Sequence, residues 1–138
     1  MDTQEPNGNK VLCIEDETFI SELYTRALEK AGYEVATMLS GEDGLEAAKS
    51  NEYDIVLLDL MTPGITGFEV LRRLRSENPD LKAKIIITTN LDQEEESRAE
   101  MEKMADGYLI KAEITPHQLV QIVNDICFGN NPSGNQTE

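Results

Sequence analysis

Five short apolar runs punctuate the chain: Val11-Leu12-Cys13-Ile14, Val35-Ala36-Thr37-Met38, Ile55-Val56-Leu57-Leu58, Ile85-Ile86-Ile87-Thr88 and Tyr108-Leu109-Ile110. Most lack polar alternation, as expected of strands covered on both faces in a parallel sheet. The second run is the weakest and fits an edge strand. Between the runs, apolar residues recur at helical spacing. Ile20, Leu23, Tyr24, Ala27, Leu28 and Ala31 form one stripe closed by Gly32, and Leu119, Ile122, Val123 and Ile126 form another closed by Gly129. Phe68, Leu71 and Leu74 mark a third helix that ends before Pro79, and Leu45 and Ala48 anchor a shorter one over 42–50. The charged segment 93–104 has only Met101 and Met104 as anchors. Thr66 with Glu69, Asp92 with Glu95 and Thr115 with Gln118 match capping boxes, Ser40 with Asp43 is a weaker version, and Pro116 suits a first helical position.

Strand-then-helix units in this order predict an α/β fold, a doubly wound parallel sheet with helices on both faces. Residues 1–9 and 129–138, rich in Asn, Gly, Pro, Gln and Ser, read as tails around one domain over 10–128.

Charge narrows the function classes. The 138 residues carry a net charge of −15, with 27 acidic against 12 basic side chains. Such a surface repels nucleic acid and anionic membranes, so direct contact with either is not expected. No apolar run reaches the roughly 20 residues of a membrane span, and the first residues do not read as a signal peptide, so a cytoplasmic protein is expected. Cys13 and Cys127 both sit in apolar settings and read as reduced, buried thiols rather than a disulfide. His117, the single histidine, reads as a surface residue in the first turn of the last helix.

In a doubly wound sheet the ligand site lies beyond the carboxyl ends of the strands. There the sequence delivers Glu15 and Asp16 after strand 1, Asp59 after strand 3, Thr89 after strand 4 and Lys111 after strand 5; strand 2 delivers Ser40 and Gly41. Each has an ordinary reading alone: Asp16 and Glu17 as helix caps, Lys111 as a surface lysine, Thr89 as a strand-end residue. Their convergence needs more. Two carboxylates about 4 Å apart repel by roughly 4 kcal/mol at an effective dielectric of 20. A hard divalent cation removes that repulsion, and oxygen donors without His or Cys point to Mg²⁺. An Asp in such a site can attack phosphorus and form an aspartyl phosphate, with an ammonium and a hydroxyl holding phosphoryl oxygens.

These same residues carry a family likeness. Val11 through Glu17 resembles the opening acidic motif of bacterial two-component response-regulator receiver domains. Ile55 through Gly67, IVLLDLMTPGITG, is similar to their phosphoacceptor motif, and Thr88-Thr89 and Tyr108 through Lys111 resemble the later Thr and aromatic-x-x-Lys signatures. The resemblance implies a flavodoxin-like receiver fold, with strand order 2-1-3-4-5 and five helices. It implies that Asp59 accepts a phosphoryl group from a sensor histidine kinase or phosphotransfer protein. Glu15, Asp16, Asp59 and the Met61 backbone carbonyl would hold Mg²⁺, Thr89 and Lys111 would grip the phosphoryl group, and Tyr108 would switch with Thr89. The chain would catalyse only its own phosphorylation and dephosphorylation, and would signal to a downstream protein target as a monomer able to dimerise when phosphorylated. If the chain is full length, no room remains for an output domain after residue 128.

Departures from the family pattern are Ala112 where Pro is common after the Lys, Asn90 in place of a small residue, and Thr62 in place of Met. A non-proline cis bond costs about 2.5–4 kcal/mol, which favours a trans peptide and a differently shaped loop here, but the sequence does not fix the conformation of the Lys111–Ala112 peptide. Apolar Met61 and Leu91, where relatives often carry polar groups, imply slow hydrolysis of the phosphorylated form. Three rivals stand beside this reading. A phosphate-independent pseudo-receiver keeps the fold without the chemistry. A dehalogenase-type phosphohydrolase needs a second Asp where Met61 stands. A nucleotide- or flavin-binding protein lacks its Gly-rich loop after strand 1.

Overall fold

The computed structural model describes residues 9–90 and 95–129. Among them, strands β1 (Lys10–Ile14), β2 (Glu34–Met38), β3 (Ile55–Asp59), β4 (Lys84–Thr89) and β5 (Gly107–Ile110) form one parallel sheet. The order is β2-β1-β3-β4-β5, with helices α1 (Thr18–Lys30), α2 (Gly41–Lys49), α3 (Gly67–Glu77), α4 (Glu95–Met104) and α5 (Pro116–Phe128) flanking the sheet. The expected topology holds. Each apolar run is a strand, lengthened in every case by a residue at one end or both, and β2 lies at an edge.

Successive strand residues point to opposite faces, which divides the apolar runs between two cores. Leu12, Ile14, Val56, Leu58, Ile85 and Ile87 face Leu45 and Ala48 of α2, Val70, Leu71 and Leu74 of α3, and Met101 of α4. Val11, Cys13, Ile55, Leu57 and Ile86 face Tyr24 and Leu28 of α1 and Leu119 and Val123 of α5. Both sides of the central strands are therefore dry. Truncating one of their leucines to Ala would cost about 2–5 kcal/mol.

Helix ends follow local chemistry. Thr115 and Gln118 form a full capping box, with Pro116 at the first helical position and Gly129 closing α5 in the left-handed region at φ 63°. Ser40 Oγ accepts from the Asp43 N–H at 3.1 Å, the expected cap of α2. Thr66 makes only half of its box: its Oγ1 accepts from the Glu69 N–H at 3.2 Å. The Glu69 carboxylate turns instead to Arg72 at 2.6 Å and Arg73 at 2.8 Å, two cations on its own helix. Glu17 precedes α1 without a side-chain cap bond. The pairing of Asp92 with Glu95 and the two tails, apart from Asn9 and Gly129, lie outside the described residues.

Cys13 is buried, Cys127 half-buried, and both are free thiols. His117 is exposed in the first turn of α5. No helix of the described residues is long and apolar enough to cross a membrane.

Candidate functional site: an acidic rim with one buried lysine

The parallel strands end together, so residues at and just past their carboxyl ends meet at a common rim. Glu15 and Asp16 lie beyond β1, Asp59 is the last residue of β3, Thr89 the last of β4, and Lys111 comes directly after β5. Register aligns them: Asp59 pairs with Thr88, the residue before Thr89, and Thr89 pairs with Ile110, the residue before Lys111.

One carboxylate oxygen from each of Glu15, Asp16 and Asp59 lies within 4.8 Å of the other two. Glu15 and Asp59 are almost fully buried, at 1% and 2% exposure, while Asp16 is exposed and keeps the rim open to water. Lys111, also buried, brings its Nζ to 2.5 Å from Glu15 Oε1 and 3.5 Å from Asp59 Oδ1. Apart from these ion pairs and the contact of Lys111 Nζ with Glu17, Glu15 Oε1 and Lys111 Nζ have no hydrogen-bond partner among the described residues. Backbone donors complete the set: the Glu17 N–H reaches Glu15 Oε2 at 3.0 Å and the Met61 N–H reaches Asp59 Oδ1 at 3.2 Å.

Titration reflects this crowding. Burial raises the Glu15 carboxyl above its ordinary range, opposed by the Lys111 contact and the Glu17 amide. Burial likewise raises Asp59, opposed by Lys111 and the Met61 amide. Burial pulls Lys111 down, but Glu15, Asp59 and Glu17 outweigh it and hold the ammonium above its usual pKa. Three carboxylates against one ammonium leave two negative charges in excess. The donors are all hard oxygens, and the buried Glu15 Oε1 has no partner among the described residues besides Lys111. Such a set suits a hard divalent cation.

Other residues near the rim have definite places. Tyr108 is half-buried at the start of β5, with the Arg98 guanidinium 4.5 Å from its ring centre. Thr62 is buried and donates its hydroxyl to the Ile65 carbonyl at 2.9 Å, a role within the β3–α3 turn that local patterning does not suggest. Lys111–Glu113 forms a 3-10 turn, and no described peptide bond is cis, so Lys111–Ala112 is trans. Asn90 is exposed, and Leu91 lies outside the described residues.

Two acidic residues near the site have contacts that the strand-end rule does not assign. Glu17 lies 3.8 Å from Lys111 Nζ. Glu42, from α2, accepts from the Ile65 N–H at 3.1 Å and so touches the turn beyond Asp59. Neither ends a strand, so the strand-end rule passes over both.

Residues 11–124 match the family model described as response regulator receiver domain. The chain is 34% identical over 128 residues to the uncharacterized transcriptional regulatory protein YkoG of Bacillus subtilis, covering 93% of this chain and 54% of that protein. It is 37% identical over 102 residues to the response regulator ArlR of Staphylococcus saprophyticus, covering 74% of this chain and 45% of that one. The chain thus spans about half the length of the curated relatives it matches. Among solved structures, the response regulator TrrA from Thermotoga maritima, in complex with Mg(2+)-BeF, aligns with a TM-score of 0.73 at 34% identity, over 86% of this chain and 98% of that chain. A CheY-like receiver domain protein from Methanospirillum hungatei aligns with a TM-score of 0.77 at 25% identity, over 88% and 94% of the two chains. The matched span contains the whole acidic rim, and the chain belongs to the response regulator receiver domain family.

Proposed function

We propose that this chain is a phosphorylation switch in which Asp59 accepts a phosphoryl group with the help of Mg²⁺. The observation that carries the reading is the packing of Glu15, Asp16 and Asp59 oxygens within 4.8 Å of one another, with a buried ammonium 3.5 Å from Asp59. Glu15, Asp16, Asp59 and the Met61 carbonyl would hold the cation. When bound, it neutralises the excess negative charge and draws off electron density from phosphoryl oxygens.

The chain's own groups do the rest. An Asp59 oxygen attacks phosphorus as the bond to the donor breaks, and the electron pair leaves with the donor's nitrogen or acyl oxygen. The Met61 amide holds Asp59 Oδ1 and so fixes the carboxylate's orientation. Lys111 is already charged and desolvated, so its ammonium can follow the phosphoryl oxygens without first shedding water. The Thr89 hydroxyl supplies a further donor at the end of β4. Its movement toward the phosphoryl group would let Tyr108 turn inward, the charge event that biases a two-state surface. That surface comprises α4, β5 and α5. The sparsely anchored α4, with Met101 as its buried apolar residue among those described, is the element with least to lose by shifting.

The donor would be a sensor histidine kinase or phosphotransfer protein, the receiver of the signal a downstream protein, and the place cytoplasmic. The monomer would pair with a second copy when phosphorylated, and the only reaction catalysed would be its own modification. The acidic composition argues against nucleic acid as a direct partner of this domain. Intact-mass analysis after incubation with acetyl phosphate and Mg²⁺ tests the reading. The expected result is one added phosphoryl mass, absent in Asp59→Asn. An unmodified wild type that also fails to take up beryllofluoride would favour a phosphate-independent binding module on the same fold.

A further inference from the structure

The turn between β3 and α3 carries the Met61 carbonyl, so its backbone must hold still for that oxygen to serve a cation. Two bonds fix its ends: Leu60 N–H to the Thr88 carbonyl at 3.1 Å and Gly67 N–H to the Leu60 carbonyl at 3.0 Å. Inside the turn, the Thr62 hydroxyl donates to the Ile65 carbonyl at 2.9 Å. The other ties come from a segment distant in sequence but packed on the same face of the sheet, where α2 begins. Gly41 N–H donates to the Pro63 carbonyl at 3.3 Å, and Glu42 Oε2 accepts from the Ile65 N–H at 3.1 Å.

The fit between these segments is close. A Cβ on Gly41 would collide with the Ile65 carbonyl, and one on Gly64 would strike the Glu42 carboxylate. Gly64 has φ +80°, a conformation that side chains other than glycine's rarely adopt. An exposed glutamate ordinarily points into water, but this one lies against the turn's backbone. Its place in the first turn of α2 also sets its charge against the positive end of that helix.

We infer that Glu42 is a positioning residue for the cation site: through the Ile65 amide it fixes the turn and thereby the place of the Met61 carbonyl. The inference rests on the phosphoacceptor reading above and deepens it. Loss of the Glu42 bond leaves the gripping groups Thr89 and Lys111 in place on other elements, and it reaches Asp59 only through the Met61 amide, a contact that a saturating cation on the Met61 carbonyl would restore. The effect therefore falls on the Mg²⁺ requirement and not on the rate once Mg²⁺ saturates.

The test uses the full chain with Glu42→Ala and Glu42→Gln. Mg²⁺ affinity is measured by calorimetry, exchange of the Ile65 amide by NMR in metal-free protein, and acetyl phosphate reactivity as a function of Mg²⁺. Glu42→Ala should weaken Mg²⁺ binding about threefold to tenfold, the worth of a partly exposed charge-assisted hydrogen bond. It should also speed Ile65 exchange and leave the saturating rate unchanged. Glu42→Gln keeps an acceptor oxygen and should recover most of the affinity. Unchanged affinity in Glu42→Ala, a Gln variant no better than the Ala variant, or a loss confined to the saturating rate would overturn the inference alone. A wild type that binds no Mg²⁺ would instead sink the phosphoacceptor reading, and this inference with it.

Discussion

Replacing Asp59 with Asn should stabilise the metal-free protein, although it removes the group on which the proposed chemistry depends. The Glu15 and Asp59 oxygens lie within 4.8 Å, so the two buried carboxylates repel by about 3.5 kcal/mol or more at an effective dielectric near 20. Exposed Asp16 adds under about 1 kcal/mol because water screens it. Lys111 at 3.5 Å returns about 5 kcal/mol. Attraction and repulsion nearly cancel, and the cost of burying a carboxylate, several kcal/mol, remains. That excess agrees with the raised Asp59 pKa, whose leading cause is burial.

An amide of the same shape removes the buried charge, while Lys111 keeps Glu15 at 2.5 Å and is not orphaned. The expected gain is about 1–3 kcal/mol, or roughly 4–10 °C in Tm for a domain of this size. Calorimetry or circular dichroism melts of both proteins, with chelator and then with saturating Mg²⁺, measure it. Mg²⁺ should raise the wild-type Tm substantially and the variant's much less, because a ligand stabilises in proportion to its binding. A variant that melts below wild type in chelator, or an equal Mg²⁺ response in both, would refute the electrostatic account.

Further expectations concern other parts of the molecule. Burial pushes the Cys13 thiol from an ordinary 9.0 up to about 12 and the Tyr24 phenol from 10.0 to about 12. Both folded values are raised, so the stability these neutral groups contribute is complete below pH 9 and lost as pH climbs through about 12. Urea midpoints should therefore fall across that window, more shallowly in Cys13→Ala; equal slopes would count against it. Gly67→Ala would drive its Cβ into the Asp59 carbonyl and Leu60 Cα, both backbone, and should cost about 1–3 kcal/mol. Gly107→Ala meets only ordinary contact at 3.4 Å from Ile86 and should be close to neutral in the same denaturation assay. The aspartyl phosphate should persist because neither Met61 nor Leu91 can orient water, and Met61→Asn should shorten its lifetime severalfold when decay is followed by mass.

Local patterning revealed the central strands because both of their faces are buried, which leaves unbroken apolar runs such as Ile55 through Leu58. It was weakest for β2, whose residues are half-buried or exposed, and for α4, whose charges outnumber its anchors. The strand-end rule placed Glu15, Asp16, Asp59, Thr89 and Lys111 at one rim because parallel strands deliver their C-termini to a common edge. Contacts between distant segments leave no such trace. Glu42 meets the turn after β3 only when α2 folds against it. The expected Thr66 box is halved because Arg72 and Arg73 outcompete the N-cap amide for Glu69, a choice of partner that a four-residue motif does not contain. Thr62 has no evident role in the linear pattern, because its hydroxyl closes the turn on Ile65 only once the chain has bent there.

The placing of β1 inside the sheet bears on how the chain is made. Its register partners, Val35 in β2 and Ile55 in β3, are both synthesised later. A nascent chain leaving the ribosome therefore carries Val11 through Ile14 with no ladder to join until β2 emerges, and with one edge bare until β3 does. During that interval a short oily strand is open to wrong pairing, and chaperones that shield such segments have their natural moment. The same delay ties assembly of the acidic rim to a late event, since Glu15 waits beside a vacant place until Asp59 arrives.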